Sequence, residues 1–160
     1  MAKKLKKIVI CSIKTNLKIN EIALQAIETL TSLSVDVFVN DKLSKITKQI
    51  PIKVIKESDY ELIDLMIVIG GDGSILSFCR KYGSLGIPLL GINLGRLGFL
   101  ADIPPDNISH ALLRVVGGNY KTEKRAFLET SINGKIIPHK AVNEIVVHSQ
   151  SVSRKCFFSF

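Results

Sequence analysis

Three glycines surround one acid in Gly70-Gly71-Asp72-Gly73-Ser74, and the block directly follows an apolar run from Leu62 to Ile69. Glycine lets a backbone turn sharply and lets a ligand come close to the main chain. With a strand before it and a helix after it, such a turn sits where open parallel sheets bind ligands, beyond the carboxyl ends of their strands. The helix then offers its first N–H groups and its partial positive end to a phosphate. A carboxylate in the same turn opposes simple anion binding, because it repels the anion. It makes chemical sense as a base that takes a proton from an attacking hydroxyl, or as a group that helps hold a bridging cation. The plainer alternative is a tight turn whose aspartate caps the helix.

A second glycine-bearing stretch, Gly91-Ile92-Asn93-Leu94-Gly95-Arg96-Leu97-Gly98, follows the next apolar run. Its glycine spacing is not that of the dinucleotide fingerprint, and no Gly-Lys-Ser/Thr follows the first block as a Walker loop requires. Hydride-transfer chemistry is therefore not supported. Arg96 carries a guanidinium suited to a phosphate. His110, His139 and His148 form no pattern of a triad or a metal site. Cys11, Cys79 and Cys156 are widely spaced with no Cys-x-x-Cys pair, which argues for inert thiols in a reducing cytoplasm and no metal site.

The elements that must hold these blocks are legible in the period of the apolar residues. Lys7 to Ser12 reads as a buried strand, and Lys18 to Leu33 has helical spacing at Ile19, Ile22, Ala23, Ala26, Ile27 and Leu30, with Asn20 or Thr15 as its cap. Val35 to Val39 reads as a strand. Residues 40 to 60 read as a polar connection, broken by Pro51, with a short strand at Ile52–Val54. Leu62 to Ile69 is a strand, Ser74 to Tyr82 a helix, Ile87 to Ile92 a strand, and Asp106 to Val116 a helix. Alternation of strand and helix with short connections predicts an α/β fold, a doubly wound and mainly parallel sheet. After about residue 120 the pattern changes. Arg125 to Ile132 alternates like an antiparallel strand, Asn133-Gly134 is a strong hairpin-turn signal, Lys135 to Ile137 is the return, and Ala141 to His148 a further strand. The last residues, Cys156 to Phe160, read as the cut edge of a β-rich domain. The predicted division is residues 1–120 for the α/β domain and 121–160 for the first strands of the second.

Bulk composition narrows the partners. With 22 Lys and Arg against 14 Asp and Glu the net charge is +8, yet the lysines are scattered and aromatic residues are only 6%, so no basic-aromatic platform for nucleic acid exists. The charge suits anionic small molecules without requiring them. No apolar run approaches the ~20 residues that span a bilayer, and no export signal is visible. The expected partners are small nucleotides, with no nucleic acid and no membrane.

The block Ile69-Gly70-Gly71-Asp72-Gly73-Ser74 resembles the Gly-Gly-Asp-Gly signature of NAD kinases, which diacylglycerol, sphingosine and phosphofructokinases share. The stretch Gly91 to Asp102, with its Gly95-Arg96-Leu97-Gly98-Phe99-Leu100 core, resembles the NAD kinases specifically. Ala141-Val142-Asn143-Glu144-Ile145-Val146-Val147 is similar to that family's short Asn-Glu motif. The resemblance implies transfer of the γ-phosphoryl group of ATP, or of polyphosphate, to the 2′-hydroxyl of the adenosine ribose of NAD, giving NADP, with Mg2+ or another divalent cation carried by the nucleotide. It implies that Asp72 activates that hydroxyl, that Gly71 and Gly73 border the phosphates, that Asn143 and Glu144 contact the adenosine of NAD, and that Phe99 lies near the nucleotide. Phe99 as plain core and Glu144 as an exposed strand carboxylate are the alternatives. Arg96 falls at a position that varies in the family. Members usually continue with a further Gly-, Thr-, Ser- and Tyr-containing segment that completes the NAD pocket, and they form homodimers or tetramers through the β-rich part. The competing readings are another kinase of the same signature, acting on a lipid or sugar, and a non-catalytic nucleotide-binding fragment.

Overall fold

A computed structural model describes residues 5–48, 50–94, 98, 100–101 and 103–146. The chain divides into two compact units, Met1–Glu123 and Lys124–Phe160.

The first unit is built on five parallel strands, β1 (Lys7–Cys11), β2 (Asp36–Val39), β3 (Lys53–Val54), β4 (Leu65–Ile69) and β5 (Leu89–Ile92). Their spatial order is β3-β2-β1-β4-β5. The chain therefore steps outward from β1 to β3, returns, and steps outward the other way from β4 to β5. The reversal falls between β1 and β4, whose register runs from Ile8 opposite Leu65 to Cys11 opposite Val68.

Both central strands are buried on both faces, which explains their unbroken apolar sequences. Ile8 and Ile10 of β1, with Leu65, Ile67 and Ile69 of β4, face one core shared with α1 (Leu17–Ser32) and α3 (Ile108–Val116). The alternate residues Val9, Cys11, Met66 and Val68 face a second core under α2 (Asp72–Tyr82). This is the period-two alternation of a pleated strand. Polar side chains close the strand ends. Asp64 Oδ2 accepts the Lys6 and Lys7 N–H groups at 2.9 and 3.0 Å, tying the start of β1 to that of β4. At the other end, buried Asn40 donates to Ser12 O at 2.8 Å and accepts the Ser12 N–H at 3.3 Å.

Several boundaries differ from the sequence reading, each for a local reason. The cap of α1 is Asn16, whose side chain accepts the Ile19 N–H at 2.8 Å; Thr15 donates instead to Asn20 at 2.9 Å. The connection after β2 is not merely polar. Asp41–Lys48 forms 3₁₀ turns that bury Leu43 and Ile46, three residues apart on one side. Glu57–Leu62 is also 3₁₀, so β4 begins at Leu65, and Leu62 remains 59% exposed. Asp106 and Asn107 belong to a short 3₁₀ turn that precedes α3.

In the second unit, β6 (Ser131–Ile132) and β7 (Lys135–Ile136) pair antiparallel. Asn133 and Gly134 take φ of 50° and 74°, the left-handed pair a two-residue hairpin turn demands. The longer strands expected over 125–132 and 141–148 do not form among the described residues. Leu128 and Ala141 make an isolated antiparallel bridge, and 142–146 leave extended pairing. Apolar alternation without a neighbouring ladder cannot hold a strand. Residues 147–160, including Cys156, lie outside the described residues.

Beneath α2, the Tyr60 and Tyr82 rings stack with centroids 4.1 Å apart, and the Cys11 thiol lies 3.9 Å from the Tyr60 hydroxyl. Burial pushes the Cys11 thiol up from 9.0 to about 12, only partly offset by its hydrogen bond to Tyr60, and burial raises Tyr60 as well. A folded-state pKa above the unfolded value means that the unfolded chain gives up its proton first. Stability is therefore complete below pH 9 and falls as pH rises from 9 toward 12, by about 1.4 kcal/mol per pH unit for the thiol. Urea unfolding between pH 8 and 11 is expected to show this decline, and Cys11→Ala to flatten it.

Candidate functional site

Strand β4 delivers its last residue, Ile69, to the carboxyl edge of the sheet, where the chain must turn into α2. Gly70 makes that turn with φ 157°, and its N–H donates to Ile92 O of β5 at 2.9 Å. A β-carbon here would run into the Ser74 side chain, so the chain itself requires this glycine. Gly71 is the N-cap of α2, extended and without any side-chain capping bond. The helix starts at Asp72, two residues earlier than its apolar period suggests, which puts Asp72 and Gly73 in the first helical turn. A carboxylate there suits the helix dipole.

Gly71 and Gly73 differ from Gly70. Both are exposed, neither has a positive φ, and an added β-carbon at either would meet nothing within 4 Å. No contact among the described residues requires a glycine at either position. Gly71 is an acceptable N-cap, but inside the helix Gly73 costs about 1 kcal/mol relative to alanine, and close approach by something outside the chain is a physical reason for a bare backbone there.

Asp72 is half-buried. Its Oδ1 accepts the Leu100 and Ala101 backbone N–H groups at 3.1 and 3.3 Å, so the carboxylate is joined to the second glycine-bearing stretch. That stretch is fixed to the sheet in turn. Asn93 donates its backbone N–H to Ile103 O at 2.9 Å and its side-chain Nδ2 to Ala101 O at 3.5 Å, and Ile103 pairs in parallel with Ile92. Gly91 lies beneath, where a β-carbon would stand 2.9 Å from Ala101 Cα. Asn93 and Lys18 are site-edge residues that the motif reading passed over. Exposed Lys18, in the first turn of α1, donates to Leu94 O at 3.4 Å, which sets a cation beside the second stretch. A lysine shortly after the first strand of an open parallel sheet was the available signal.

The other residues named from sequence are not all gathered here. Arg96 and Phe99 lie outside the described residues. Asn143 and Glu144 belong to the second unit, at a bend and in the irregular stretch after it, and both are exposed. A cavity of about 380 Å3 lies elsewhere in the first unit, lined by Ser12, Asn40, Tyr60, Phe78 and Lys81 among others, and Asp72 is not in its wall. Asp72 stands instead at the carboxyl edge of the sheet, at the start of the helix that follows β4 and beside the point where the strand order reverses.

Residues 8–120 match the ATP-NAD kinase N-terminal domain family. The chain belongs to this family. Its relatives include an NAD kinase of Protochlamydia amoebophila, 38% identical over 128 residues, which are 80% of this chain and 44% of that protein. One from Shewanella loihica is 37% identical over 134 residues, 81% of this chain and 45% of the relative. The chain thus spans less than half the length of these curated relatives. In fold it is similar to yeast NADH kinase solved with NADH, at a TM-score of 0.71 and 22% identity over 87% of this chain and 47% of that one. It is also similar to an NAD kinase from Archaeoglobus fulgidus solved with ATP, at 0.55 and 22%, over 81% and 45% of the two chains. These likenesses establish the α/β architecture.

The two glycines of the α2 turn that the fold does not need yield a test. Gly73→Ala is expected to leave the fold intact and stabilise it by about 0.5–1 kcal/mol, read by urea unfolding. Destabilisation instead would show that the fold itself requires a glycine here and would remove the ligand-approach argument for this position.

Proposed function

We propose that this chain supplies the phosphate-handling part of an NAD kinase, which transfers the γ-phosphoryl group of ATP, or of polyphosphate, to NAD and makes NADP. The observation that carries the reading is the turn itself. Asp72 stands in the first turn of a helix whose N-cap, Gly71, offers no side chain, and no contact among the described residues requires a glycine at 71 or 73.

The chemistry follows from those parts. The first N–H groups of α2 and the positive end of its dipole favour phosphate oxygens brought against the bare backbone of Gly71 and Gly73. Asp72 takes the proton of the 2′-hydroxyl of the adenosine ribose. The oxygen left behind forms the new bond to the γ-phosphorus as the bond from that phosphorus to the bridging oxygen breaks, and ADP leaves with the electron pair. Such transfers depend on positioning and charge stabilisation more than on covalent chemistry. Lys18 adds positive charge at the same edge. Asn143 and Glu144 are assigned to the adenosine of NAD, and Phe99 and Arg96 to the nucleotide and its phosphates, on the family resemblance of their motifs. Residues from 121 onward are assigned to the start of a β-rich NAD-binding domain. A divalent cation, magnesium by preference, is proposed to arrive with the nucleotide's phosphates. Among the described residues no three His, Cys, Asp or Glu side chains are grouped to hold an ion, so no step is routed through it. No helix among the described residues is long and apolar enough to cross a membrane. The proposed setting is the cytoplasm, with the full-length enzyme a homodimer or tetramer.

A non-catalytic, nucleotide-binding role is the competing reading. Calorimetry with NAD and ATP beside an assay of NADP formation separates the two, because binding without turnover supports the second. Asp72→Asn is expected to fold normally, bind nucleotide, and lose turnover by roughly 10²–10⁴-fold, the usual contribution of a general base. NADP formation at the unsubstituted rate would refute the assignment.

A further inference from the structure

Gly98 belongs to neither class of glycine in the α2 turn. A β-carbon built on it would overlap Cγ, Oδ1 and Oδ2 of Asp72, so its backbone lies directly against the carboxylate. The same carboxylate accepts the Leu100 and Ala101 amides, both on Oδ1. These amides cannot easily move away. Ala101 is fully buried, its carbonyl is held by Asn93, and the segment is pressed onto Gly91 and paired to β5 through Ile103. The carboxylate thus sits in a seat with one fixed wall, the two amides, and one wall that exists only because residue 98 has no side chain.

We infer that Gly98 is a positioning residue for Asp72, its bare backbone allowing the carboxylate to seat on the Leu100 and Ala101 amides and so fixing the orientation of the group that faces the substrate. The functional meaning of the seat rests on Asp72 acting as the base; the seat itself does not. A hydrogen bond from an N–H to a charged oxygen is worth about 1.5–3 kcal/mol, and two on one oxygen select a single rotamer strongly. A side chain at 98 forces Asp72 off this rotamer while leaving its identity, helix and solvent access in place. The seat also joins the turn after β4 to the stretch after β5 through one side chain, so the two glycine-bearing blocks act as one unit.

The test is a double-mutant cycle in the chain, because coupling between two sites appears only when they share an interaction. Gly98→Ala is expected to lower Tm and to make the Leu100 and Ala101 amides exchange with solvent roughly tenfold faster, the loss of a charge-assisted bond. In an Asp72→Ala background, where the colliding atoms are gone, Gly98→Ala is expected to change neither quantity. The amide proton resonances of Leu100 and Ala101 are also expected to move upfield in Gly98→Ala, toward their positions in Asp72→Ala, as the bond to the carboxylate is lost. Should Gly98→Ala alone fail to fold, Asp72→Ala/Gly98→Ala is expected to fold, since removing the carboxylate relieves the overlap. Equal losses in both backgrounds, amide resonances that Gly98→Ala leaves unmoved, or failure of both variants to fold would overturn the inference. Full turnover by Asp72→Asn would overturn the base reading and leave this coupling standing, so the two failures are distinguishable.

Discussion

Strands β1 and β4 are buried on both faces, and this constraint sends all the chemistry of the first unit to the ends of its strands. A strand covered on both sides has no position for a charged side chain, since an unpaired charge in such a place costs several kcal/mol. Each residue from Ile8 to Cys11 and from Leu65 to Ile69 is accordingly apolar or a protonated thiol, and none is more than 5% exposed. The pairing of these two strands also fixes where the strand order reverses. Loops leaving β1 and β4 diverge to opposite faces there, α1 to one core and α2 to the other, which is the kind of point where open parallel sheets bind ligands. Asp72 is half-buried at this edge because the central pairing leaves it nowhere else to be.

Glycines sort into two physical classes around that edge, and the division separates architecture from function. Gly70 and Gly91 are demanded by the chain's own atoms, by Ser74 above one and by Ile75 and Ala101 above the other. Gly71 and Gly73 are demanded by none. An exposed helical glycine without an intrachain reason lowers stability, so its presence points to something approaching from outside. Sequence alone could not make this division, because nothing in a glycine's letter tells which of the chain's own atoms a β-carbon there would meet.

What was legible in the sequence was whatever depended on period and turn chemistry. Unbroken apolar runs gave β1 and β4, helical spacing gave the buried face of α1, and Asn133-Gly134 gave the hairpin turn with its two positive φ values. What depended on geometry between distant residues was not. Asn16 and Asn20 are equally good caps by type, and only the chain path decides for Asn16. The buried pair Leu43 and Ile46 is hidden in a polar run, since two apolar residues three apart do not establish a period. The second-unit strands were overcalled from alternation alone, which describes what a strand's face would be but not whether a partner exists. Asp72 stood out in the sequence as the one carboxylate of its glycine-rich block, yet its link to Leu100 and Ala101 spans 28 and 29 residues and has no local signature.

That link bears on the plainest account of Asp72, that it merely caps a helix. A capping aspartate occupies the N-cap and turns its oxygen back onto the N–H groups of its own first turn. Here the N-cap is Gly71, which has no side chain to offer, and Asp72 is the first residue inside the helix. Its Oδ1 reaches across to the backbone of a different connection. A cap would stabilise α2 alone, whereas this carboxylate joins the turn after β4 to the stretch after β5. The helix N-terminus is left uncapped by any side chain at the place where an anion would meet it. A fold that needed only a stable helix start would have placed Ser, Thr or Asp at position 71 and a side chain at position 73. The arrangement sacrifices that local stability and holds its one carboxylate by a long-range contact, which is the pattern expected where a reacting group must be oriented rather than a helix secured.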